Sequence, residues 1–545
     1  MTTTADTATR PGVSIAAPLR TPLFRRIWLA SLLSNLGFMV LSVGAAWAMT
    51  VLTPDATMVA LVQTAMMLPM MLLSLVAGAV ADMYDRRKVT IAALCMSLAA
   101  SAGLALCGFS GLITPWLLLG FCFLVGSAMA LFSPAWQASV GEQVPREVLA
   151  QAVALNSISF NIARSFGPAL GGIIVSVGGG SSAFATTAAC YLPLIAVMVL
   201  WRRIPVPSRL PPERIDRAIN AGVRYVIHSP QIRTVLLRTF VMGMAGSSVH
   251  ALMPLIARDI LHGNAKTFGL LLGSLGIGAI IGALAISRIR RHLSEEAIIS
   301  SAAVLMGATF VVIATSGSVV LTSFALMCTG MGWMVALTLF NVLVQTSAPR
   351  WVSGRLLAAF GTAIAGGVAI GSWMWGQVAQ NHGVANTMLI SAAALAGTVL
   401  FAFILRMPAM AEADLEPVLP QDPEVNLAIT NRSGPIVIEL VYHVCADDAR
   451  EFYDAMQKMR AIRHRNGGFA WSISRNIRDP EIWVERYQCP TWIDYLRQRS
   501  RSTPEEIRAH ARARALLKPG TDVEVRRLLE RPFGSVRWKE NALDV

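Results

Sequence analysis

Charged residues are scarce in this chain of 545 residues: only 14% are Asp, Glu, Lys or Arg, whereas 54% are hydrophobic. An ordinary soluble domain is about one quarter charged. The shortage is concentrated in residues 27–405, and the rest of the chain is mostly polar. This distribution argues against a soluble core for the larger part of the protein.

Several other signals are missing. The seven cysteines show no paired spacing, so neither a disulfide framework nor a zinc site is indicated. Residues 1–22 lack the apolar core of a cleavable signal peptide, and we interpret them as a mobile tail. His443, His464 and His510 lie too far apart in sequence to specify a metal site. We therefore predict no cofactor, no metal site and no catalytic residues.

Long uncharged runs dominate what is present. A helix of about 20 apolar residues is long enough to cross a hydrocarbon core of about 30 Å. The sequence predicts twelve such spans: 27–50, 57–81, 89–110, 113–135, 149–177, 183–201, 234–257, 267–287, 297–315, 319–345, 354–379 and 385–405. The predicted fold class is an α-helical polytopic membrane protein.

The net charge of +14 follows the predicted topology. Cytoplasmic loops are enriched in Lys and Arg. If the first end is inside, the even-numbered gaps hold nearly all the basic residues, and the odd-numbered gaps hold only Arg258 and Lys266. We therefore expect a multi-pass protein of the inner membrane with both termini in the cytoplasm. A nucleic-acid partner is not indicated.

The apolar part contains an internal repeat with a constant offset of 204 residues. The shift pairs Gly103 with Gly307, Gly126 with Gly330, Gly167 with Gly371, Arg86 with Arg290 and Arg87 with Arg291. We predict two six-helix halves, residues 23–201 and 234–405, joined by an inside loop at 202–233. Two parallel halves with a site between them are typical of a rocker-type secondary transporter.

The joining loop has amphipathic character. Its apolar residues Ile215, Ile219, Val223, Val226 and Ile227 fall roughly on one helical face, and basic residues lie beside them. This pattern predicts a helix lying on the inner membrane surface.

The last hundred residues have the composition of a soluble domain. We predict a Pro-rich linker at 406–433, a βαββαβ domain of ferredoxin-like order at 434–533 and a tail at 534–545. This domain resembles the dimeric α/β-barrel group, which includes small monooxygenases. No sharp motif supports an enzyme, so we interpret it as a cofactor-free interaction or dimerisation domain.

The gap between spans 2 and 3 carries a motif. Gly78, Asp82, Arg86 and Arg87 match the loop motif of the major facilitator superfamily, although Val80, Met83 and Asp85 replace three of its residues. The membrane part therefore resembles this superfamily. The resemblance implies that Asp82 latches the inner ends of the two halves and that Gly78 admits a neighbouring helix. The alternative is that Arg86, Arg87 and Lys88 only enforce topology; Arg290 and Arg291 are the counterparts of Arg86 and Arg87 in the second half.

Span 5 contains Gly167-Pro168-x-x-Gly171-Gly172, which resembles the superfamily's antiporter motif. Ala163 and Ala154 replace two further glycines of that motif. The resemblance implies export, with a pivot at Pro168, and close helix packing is the alternative explanation. The span 4 motif of the superfamily is missing, since Cys122 and Val125 stand where its Arg and Gln would be.

Arg164 lies near the middle of span 5. A charged side chain at this depth is costly and normally faces a cavity or a partner. We predict that it forms the positive floor of a substrate cavity; a structural Arg that binds backbone carbonyls is the alternative. The other candidates for this cavity are Asn35, Gln63, Asn156, Asn161, His250, Asn341 and Gln345. His250 is also a candidate proton carrier.

Together these features predict an exporter of a small anionic or amphipathic molecule, such as a siderophore, that works by alternating access and proton antiport. The segments RYVIHSPQIRTVL and ALMPLIARDILHG resemble the branch that includes the enterobactin exporter. Multidrug efflux through the same fold is the first alternative. The second is a membrane-anchored enzyme or sensor that works through its C-terminal domain.

Overall fold

The structure is a computed structural model that describes residues 16–145, 148–201, 215–347, 352–407, 425–427, 429–430, 432–500 and 504–530. Most of the predicted N-terminal tail, most of the linker and the whole C-terminal tail lie outside these ranges. The chain forms two compact units. The first comprises residues 1–215, 234–345 and 357–409; the second comprises residues 216–233, 346–356 and 410–545.

Five helices make up the predicted first half of the membrane part. They are α1 (Pro22–Leu52), α2 (Ala56–Met83), α3 (Arg86–Phe109), α4 (Pro115–Ser139) and α5 (Leu149–Leu200). Their ends follow local chemistry. The side chain of Asp55 accepts a hydrogen bond from the Thr57 N–H and caps α2, and Asp85 does the same for α3 through Arg87.

The helix α5 contains two membrane crossings. Its 52 residues include Gly179, whose φ of 72° and ψ of −178° are not helical. A helix of this length would measure about 80 Å, far more than a hydrocarbon core of about 30 Å. The predicted spans 149–177 and 183–201 therefore meet at a glycine turn.

The second half begins after a short helix, α6 (Ile215–Ile227). Its helices are α7 (Pro230–Leu255), α8 (Ala265–Ile289), α9 (Glu295–Thr315), α10 (Val319–Ser347), α11 (Ser353–His382), α12 (Val384–Thr398) and α13 (Phe401–Ile404), and a π-helical turn extends α7 over Ile256–Ile260. In the described ranges, 11 helical segments are long and apolar enough to cross a membrane. Because α5 supplies two crossings, the prediction of twelve spans is confirmed.

Corresponding glycines in the two halves make corresponding contacts. A Cβ at Gly126 on α4 would collide with the Met66 carbonyl of α2. A Cβ at Gly330 on α10 would collide with the Leu275 carbonyl of α8. Both are backbone-to-backbone contacts that a larger residue would prevent. The repeat in the sequence therefore reflects a repeated helix packing.

The C-terminal domain belongs to the second unit. Its elements are β1 (Ile436–His443), α14 (Ala449–Asn466), β2 (Phe469–Arg475), β3 (Ile482–Cys489), α15 (Trp492–Ser500), α16 (Pro504–Ala515) and β4 (Glu524–Leu529). The strands form an antiparallel sheet in the order β2-β3-β1-β4. Side chains of β1 and α14, among them Ile438, Tyr442, Phe452 and Met456, form its core. The predicted βαββαβ order is confirmed, with the second helix broken before Pro504.

A charged network lies inside this core. Glu485 on β3 is 0% exposed and accepts hydrogen bonds from Arg463 Nε at 3.0 Å, Trp471 Nε1 at 3.0 Å and Tyr442 OH at 2.9 Å. Burial alone would raise the pKa of the Glu485 carboxyl. The charge of Arg463 and the hydrogen bonds outweigh burial and hold that pKa below its ordinary value.

Among its described residues, the helix α6 has one side chain buried in protein and leaves part of its predicted apolar face uncovered, so its placement on the membrane surface stays a prediction. Tyr225 is buried, whereas Val223 and Ile227 are exposed. The side chains of Ile215 and Ile219 lie outside the described residues. Tyr225, an aromatic residue with a polar tip, thus packs against protein, while Val223 and Ile227 of the predicted apolar face remain uncovered by it.

Candidate substrate-binding site

The antiporter-like motif of α5 touches α8 of the second half. A Cβ at Gly172 would lie 2.7 Å from the Ala265 carbonyl oxygen and 3.0 Å from the Gly269 Cα. A Cβ at Gly269 would in turn lie 2.7 Å from the Pro168 carbonyl oxygen. Only glycine allows the two backbones to approach this closely.

The other two glycines of the motif face α1. A Cβ at Gly167 would lie 2.5 Å from the Met39 Cβ, and one at Gly171 would lie 3.0 Å from the Val43 Cβ. The motif therefore packs α5 against two helices at once, one in its own half and one in the other. Of the two replacing alanines, Ala163 is buried and Ala154 is exposed.

Arg164 lies on the same contact line. Its carbonyl oxygen is 2.9 Å from where a Cβ of Gly276 on α8 would be. Its side chain is half-buried, and none of the described residues accepts a hydrogen bond from the guanidinium or forms an ion pair with it. Within the described residues, a cation without a hydrogen-bond acceptor or an acidic partner thus lies where the two halves meet.

The side-chain amide groups of the two asparagines near Arg164 form no hydrogen bond with its guanidinium in the described residues. Asn161 Nδ2 donates a hydrogen bond to the Ser157 carbonyl at 2.9 Å. Asn156 Nδ2 is buried and has no hydrogen-bond partner within the described part of the chain. In the described residues, neither asparagine side chain is hydrogen-bonded to Arg164.

His250 on α7 faces this region from the second half. Its ring lies edge-on to Trp333 of α10, with 5.3 Å between the ring centroids. The charge of Arg164 acts on His250, so the two side chains are electrostatic neighbours. Among the described cavity candidates, these two come from different halves and lie within electrostatic range of each other.

The remaining predicted cavity residues are distributed over three helices. Asn35 on α1 and Gln63 on α2 are half-buried. Asn341 and Gln345 on α10 are hydrogen-bonded to each other. None of the four is joined to Arg164 by a hydrogen bond in the described residues.

The bases of the loop motif bind within the first half. Arg86 forms an ion pair with Glu142 at 3.1 Å and donates to the Ala138 carbonyl at 3.2 Å. Arg87 donates to the carbonyls of Met198 and Val199 at 2.8 and 2.6 Å. A basic side chain at the last carbonyls of a helix is favourable. In the second half, Arg290 is half-buried and Arg291 is exposed.

The loop motif also carries predictions for Asp82 and Gly78. The side chain of Asp82 lies outside the described residues, so the latch stays a prediction. For Gly78 no described atom lies within 4 Å of where its Cβ would be, so the expected close approach is not seen in the described residues and also stays a prediction. The counterpart of Gly78 in the second half, Gly282 on α8, does make a close contact: a Cβ there would lie 2.6 Å from the Met331 carbonyl oxygen of α10.

Hydrogen bonds join the halves at the predicted outer face. Arg258 Nη1 donates to the Thr50 carbonyl at 2.8 Å, and the Ala56 N–H donates to Gln380 Oε1 at 2.8 Å. These residues, except Thr50, line a cavity of about 460 Å³. The sequence indicated Arg258 only as an unusual base on the outer side and gave no signal for Gln380.

Deeper contacts connect α2 with α11. Thr64 Oγ1 donates to the Ala369 carbonyl at 2.9 Å, and the hydroxyl oxygens of Ser74 and Thr362 are 2.6 Å apart. Sequence reasoning also missed the ion pair between Arg238 and Glu296, at 2.7 Å, in which Arg238 is 5% exposed. The available signal was a base one turn inside span 7 and an acid at the start of span 9.

A family model described as "Transmembrane secretion effector" matches residues 13–533. The chain belongs to this family. The match includes both the membrane part and the C-terminal domain.

Curated proteins similar to this chain are transporters. The staphyloferrin A transporter of Staphylococcus aureus is 24% identical over 383 residues, which are 69% of this chain and 95% of the relative. The multidrug efflux pump Tap of Mycobacterium tuberculosis is 26% identical over 405 residues, 72% and 94% of the two chains. The enterobactin exporter EntS of Salmonella choleraesuis is 28% identical over 363 residues, 65% and 85%.

The fold is shared with solved transporters. The nucleoside transporter NupG superposes with a TM-score of 0.58 at 13% identity, covering 70% of this chain and 98% of that one. The predicted membership of the major facilitator superfamily, in the enterobactin-exporter-like branch, is confirmed. This family member is a multi-pass secondary transporter and not an enzyme.

Proposed function

We propose that this transporter exports a small anionic or amphipathic molecule of the siderophore type across the inner membrane. The observation that carries the proposal is Arg164, a half-buried cation without a described partner at the contact between α5 and α8. A fixed cation in a membrane favours an anionic ligand, because an unpaired charge is costly there. Two of the relatives above are named for siderophores, which agrees with this chemistry.

Alternating access is the proposed mechanism. Each half contributes to the site, since Arg164 comes from α5 and His250 from α7. The bonds of Arg258 to Thr50 and of Gln380 to Ala56 close the predicted outer face in the described conformation. In this proposal the substrate enters from the cytoplasm, the outer bonds break, and the halves rock about the glycine contact of α5 and α8. Asp82 would latch the opposite face.

Proton antiport is proposed as the energy source, with His250 as the carrier.

The positive-inside distribution of Arg and Lys supports the proposed orientation, with both termini in the cytoplasm. The proposed division of the chain remains a tail at 1–22, halves at 23–201 and 234–405, a loop at 202–233, and a linker, a domain and a second tail beyond them.

The test uses inverted membrane vesicles energised to acidify their interior. Carboxylate siderophores, catecholate siderophores and cationic dyes are added separately, and proton release is recorded beside accumulation. Arg164→Ala should weaken anion transport by about ten- to a hundredfold, from the roughly 1.5–3 kcal/mol of a hydrogen bond to a charged group. Arg164→Lys should retain part of it, and Arg26→Ala, which alters an exposed base, should have no effect.

Multidrug efflux is the second candidate, favoured by the likeness to the pump Tap. It predicts accumulation of the cationic dyes and no loss in Arg164→Ala. If energised wild-type vesicles accumulate none of the compounds, proton-driven export is overturned. His250→Gln separates coupling from binding, since it should abolish proton release while leaving exchange down a gradient intact.

A further inference from the structure

The C-terminal domain makes a specific contact with α6, the helix of the loop between the halves. Tyr225 of α6 is 3% exposed, and the guanidinium carbon of Arg465, in the last turn of α14, lies 5.5 Å from the Tyr225 ring centroid. A cation this close to an aromatic face is attracted to it. Both residues belong to the second unit, so this is an internal contact of that unit.

Two histidines stack beside this pair. The rings of His228 and His464 are 5.9 Å apart between centroids and inclined by 21°. His228 follows α6 directly, and its Nδ1 lies 2.9 Å from the Arg224 carbonyl oxygen, which fixes the ring. The stack therefore joins the end of α6 to the end of α14.

Arg224 occupies space that a glycine leaves free. Gly467 ends α14 with a φ of 109°, and a Cβ there would lie 2.9 Å from Arg224 Nη2. Gly222, two residues before Arg224 on α6, packs against the Cβ of Arg355 in the first turn of α11. The second unit thus holds α6 together with the beginnings of α7 and α11.

The charged groups that act on His464 within the described part of the chain are basic. His464 is surrounded by His228 and Arg224 from α6 and the loop, and by Arg460 from its own helix. Burial first, and then the charges of His228 and Arg460, hold the pKa of His464 below its ordinary value. The stack with a neutral His464 is therefore favoured at a pH above the ordinary pKa of histidine. Protonation of His464 on acidification works against it.

We propose that this surface of the C-terminal domain is a clamp that holds α6 near neutral pH and releases it when the cytoplasm acidifies. The contacts that carry this inference are Tyr225 against Arg465, His228 against His464, and Arg224 against Gly467. Because α7 and α11 begin in the clamped region, release frees the halves to reorient more often. The inference rests on the proposed cytoplasmic placement, but not on the proposed substrate or on proton coupling.

The first arm of the test is hydrogen–deuterium exchange of residues 215–229 in the full-length protein in nanodiscs, at pH 7.5 and 5.5. After correction for intrinsic exchange, we expect exchange in wild type to be severalfold faster at the lower pH, because protonation of His464 works against the stack. The double variant His228→Gln/His464→Gln should lose this response. His443→Gln, which alters a histidine on β1, should keep it.

Two further variants test the clamp without any change of pH. Tyr225→Ala and Arg465→Ala should each release α6 at pH 7.5 while strands β1 and β3 stay protected. If α6 remains protected in both, the domain does not hold the helix and the proposal fails. An equal acid response in wild type and in the double glutamine variant would also overturn it.

The second arm measures coupling to the membrane part without a substrate. A cysteine-free version carrying Ala56→Cys, at the cavity of the predicted outer face, is labelled with an impermeant maleimide. Acidifying the cytoplasmic side should raise the labelling rate severalfold, and the double glutamine variant should show no increase. Release of α6 without faster labelling would refute the regulatory part. Failure of substrate export would affect neither arm, so the two proposals are tested separately.

Discussion

The carbonyl oxygen of Arg164 on α5 lies 2.9 Å from the position that a Cβ would take at Gly276 on α8. The residue proposed to bind substrate is therefore also part of a close backbone contact between the halves. A ligand that binds the guanidinium acts on a helix whose backbone touches the opposite half, which gives binding a direct effect on the rocking motion.

Gly172→Ala should separate α5 from α8. The added Cβ would lie 2.7 Å from the Ala265 carbonyl oxygen, and overpacking of this kind costs about 1–3 kcal/mol. We expect a lower thermal unfolding midpoint in detergent and a loss of transport. Gly120→Ala on α4 is the matched control, since no described atom lies within 4 Å of its Cβ position. Equal stability of the two variants would contradict the contact.

The paired substitution Arg258→Ala and Gln380→Ala should open the predicted outer face. Each removes one hydrogen bond between the halves, and a typical bond contributes about 0.5–1.5 kcal/mol. A shift of about 1.4 kcal/mol changes a two-state population tenfold. Spin-label distances between α1 and α7 at this face should lengthen. Ser316→Ala, in the loop between α9 and α10, should leave them unchanged, and an unaltered distance in the double variant would exclude this gate.

Glu485→Gln should destabilise the C-terminal domain strongly. It leaves Arg463 buried without its charge partner, and breaking a buried pair costs about 3–5 kcal/mol. Exchange protection of β1 and β3 reports the change. Glu451→Gln removes the acid of the exposed pair with Arg512, which should contribute no more than about 1 kcal/mol. Similar losses in the two variants would argue against a buried network.

The same carboxylate gives the domain an acid limit. Because the pKa of Glu485 is lowered in the folded state, its stabilising effect is present above the ordinary pKa range of Glu and is lost as the pH falls through the lowered value. Protection of β3 in wild type should therefore decrease at strongly acidic pH. In Glu485→Gln this part of the decrease should be absent, and an unchanged acid profile would count against the assignment.

Gly467→Ala should weaken the clamp through two effects. It places a non-glycine residue at a φ of 109° and pushes the new methyl group to within 2.9 Å of Arg224 Nη2. Gly520→Ala has comparable backbone strain, with a φ of 82°, and no described atom near its Cβ position. Faster exchange of α6 only in Gly467→Ala would isolate the displacement of Arg224; the same exchange in both variants would rule it out.

Local features of the fold could be predicted from the sequence because they depend on neighbouring residues. Uncharged runs indicated the spans, and alternation between turn residues indicated four strands, two of which form the hairpin around Asp479-Pro480. The turn at Gly179 was bracketed correctly by the predicted ends of spans 5 and 6. These properties require only the period and length of a segment.

Partners distant in sequence could not be predicted in the same way. The motif around Gly78 resembles that of a superfamily, yet its arginines bind Glu142 and the end of α5, and no described helix approaches Gly78. The apolar pattern of α6 indicated a lipid-facing helix and could not reveal that Tyr225 meets Arg465. Such contacts depend on how helices are arranged in space, which the periodicity of one helix does not specify.

The second unit is assembled from three separate stretches of chain, residues 216–233, 346–356 and 410–545. Synthesis therefore places its first two pieces long before the third. While the twelve spans enter the membrane, Arg465 and Gly467, which Tyr225 and Arg224 contact in the folded protein, have not yet been synthesised. The clamp can close only after residues 410–545, which carry His464, Arg465 and Gly467, have left the ribosome, so it forms later than the helices that it holds.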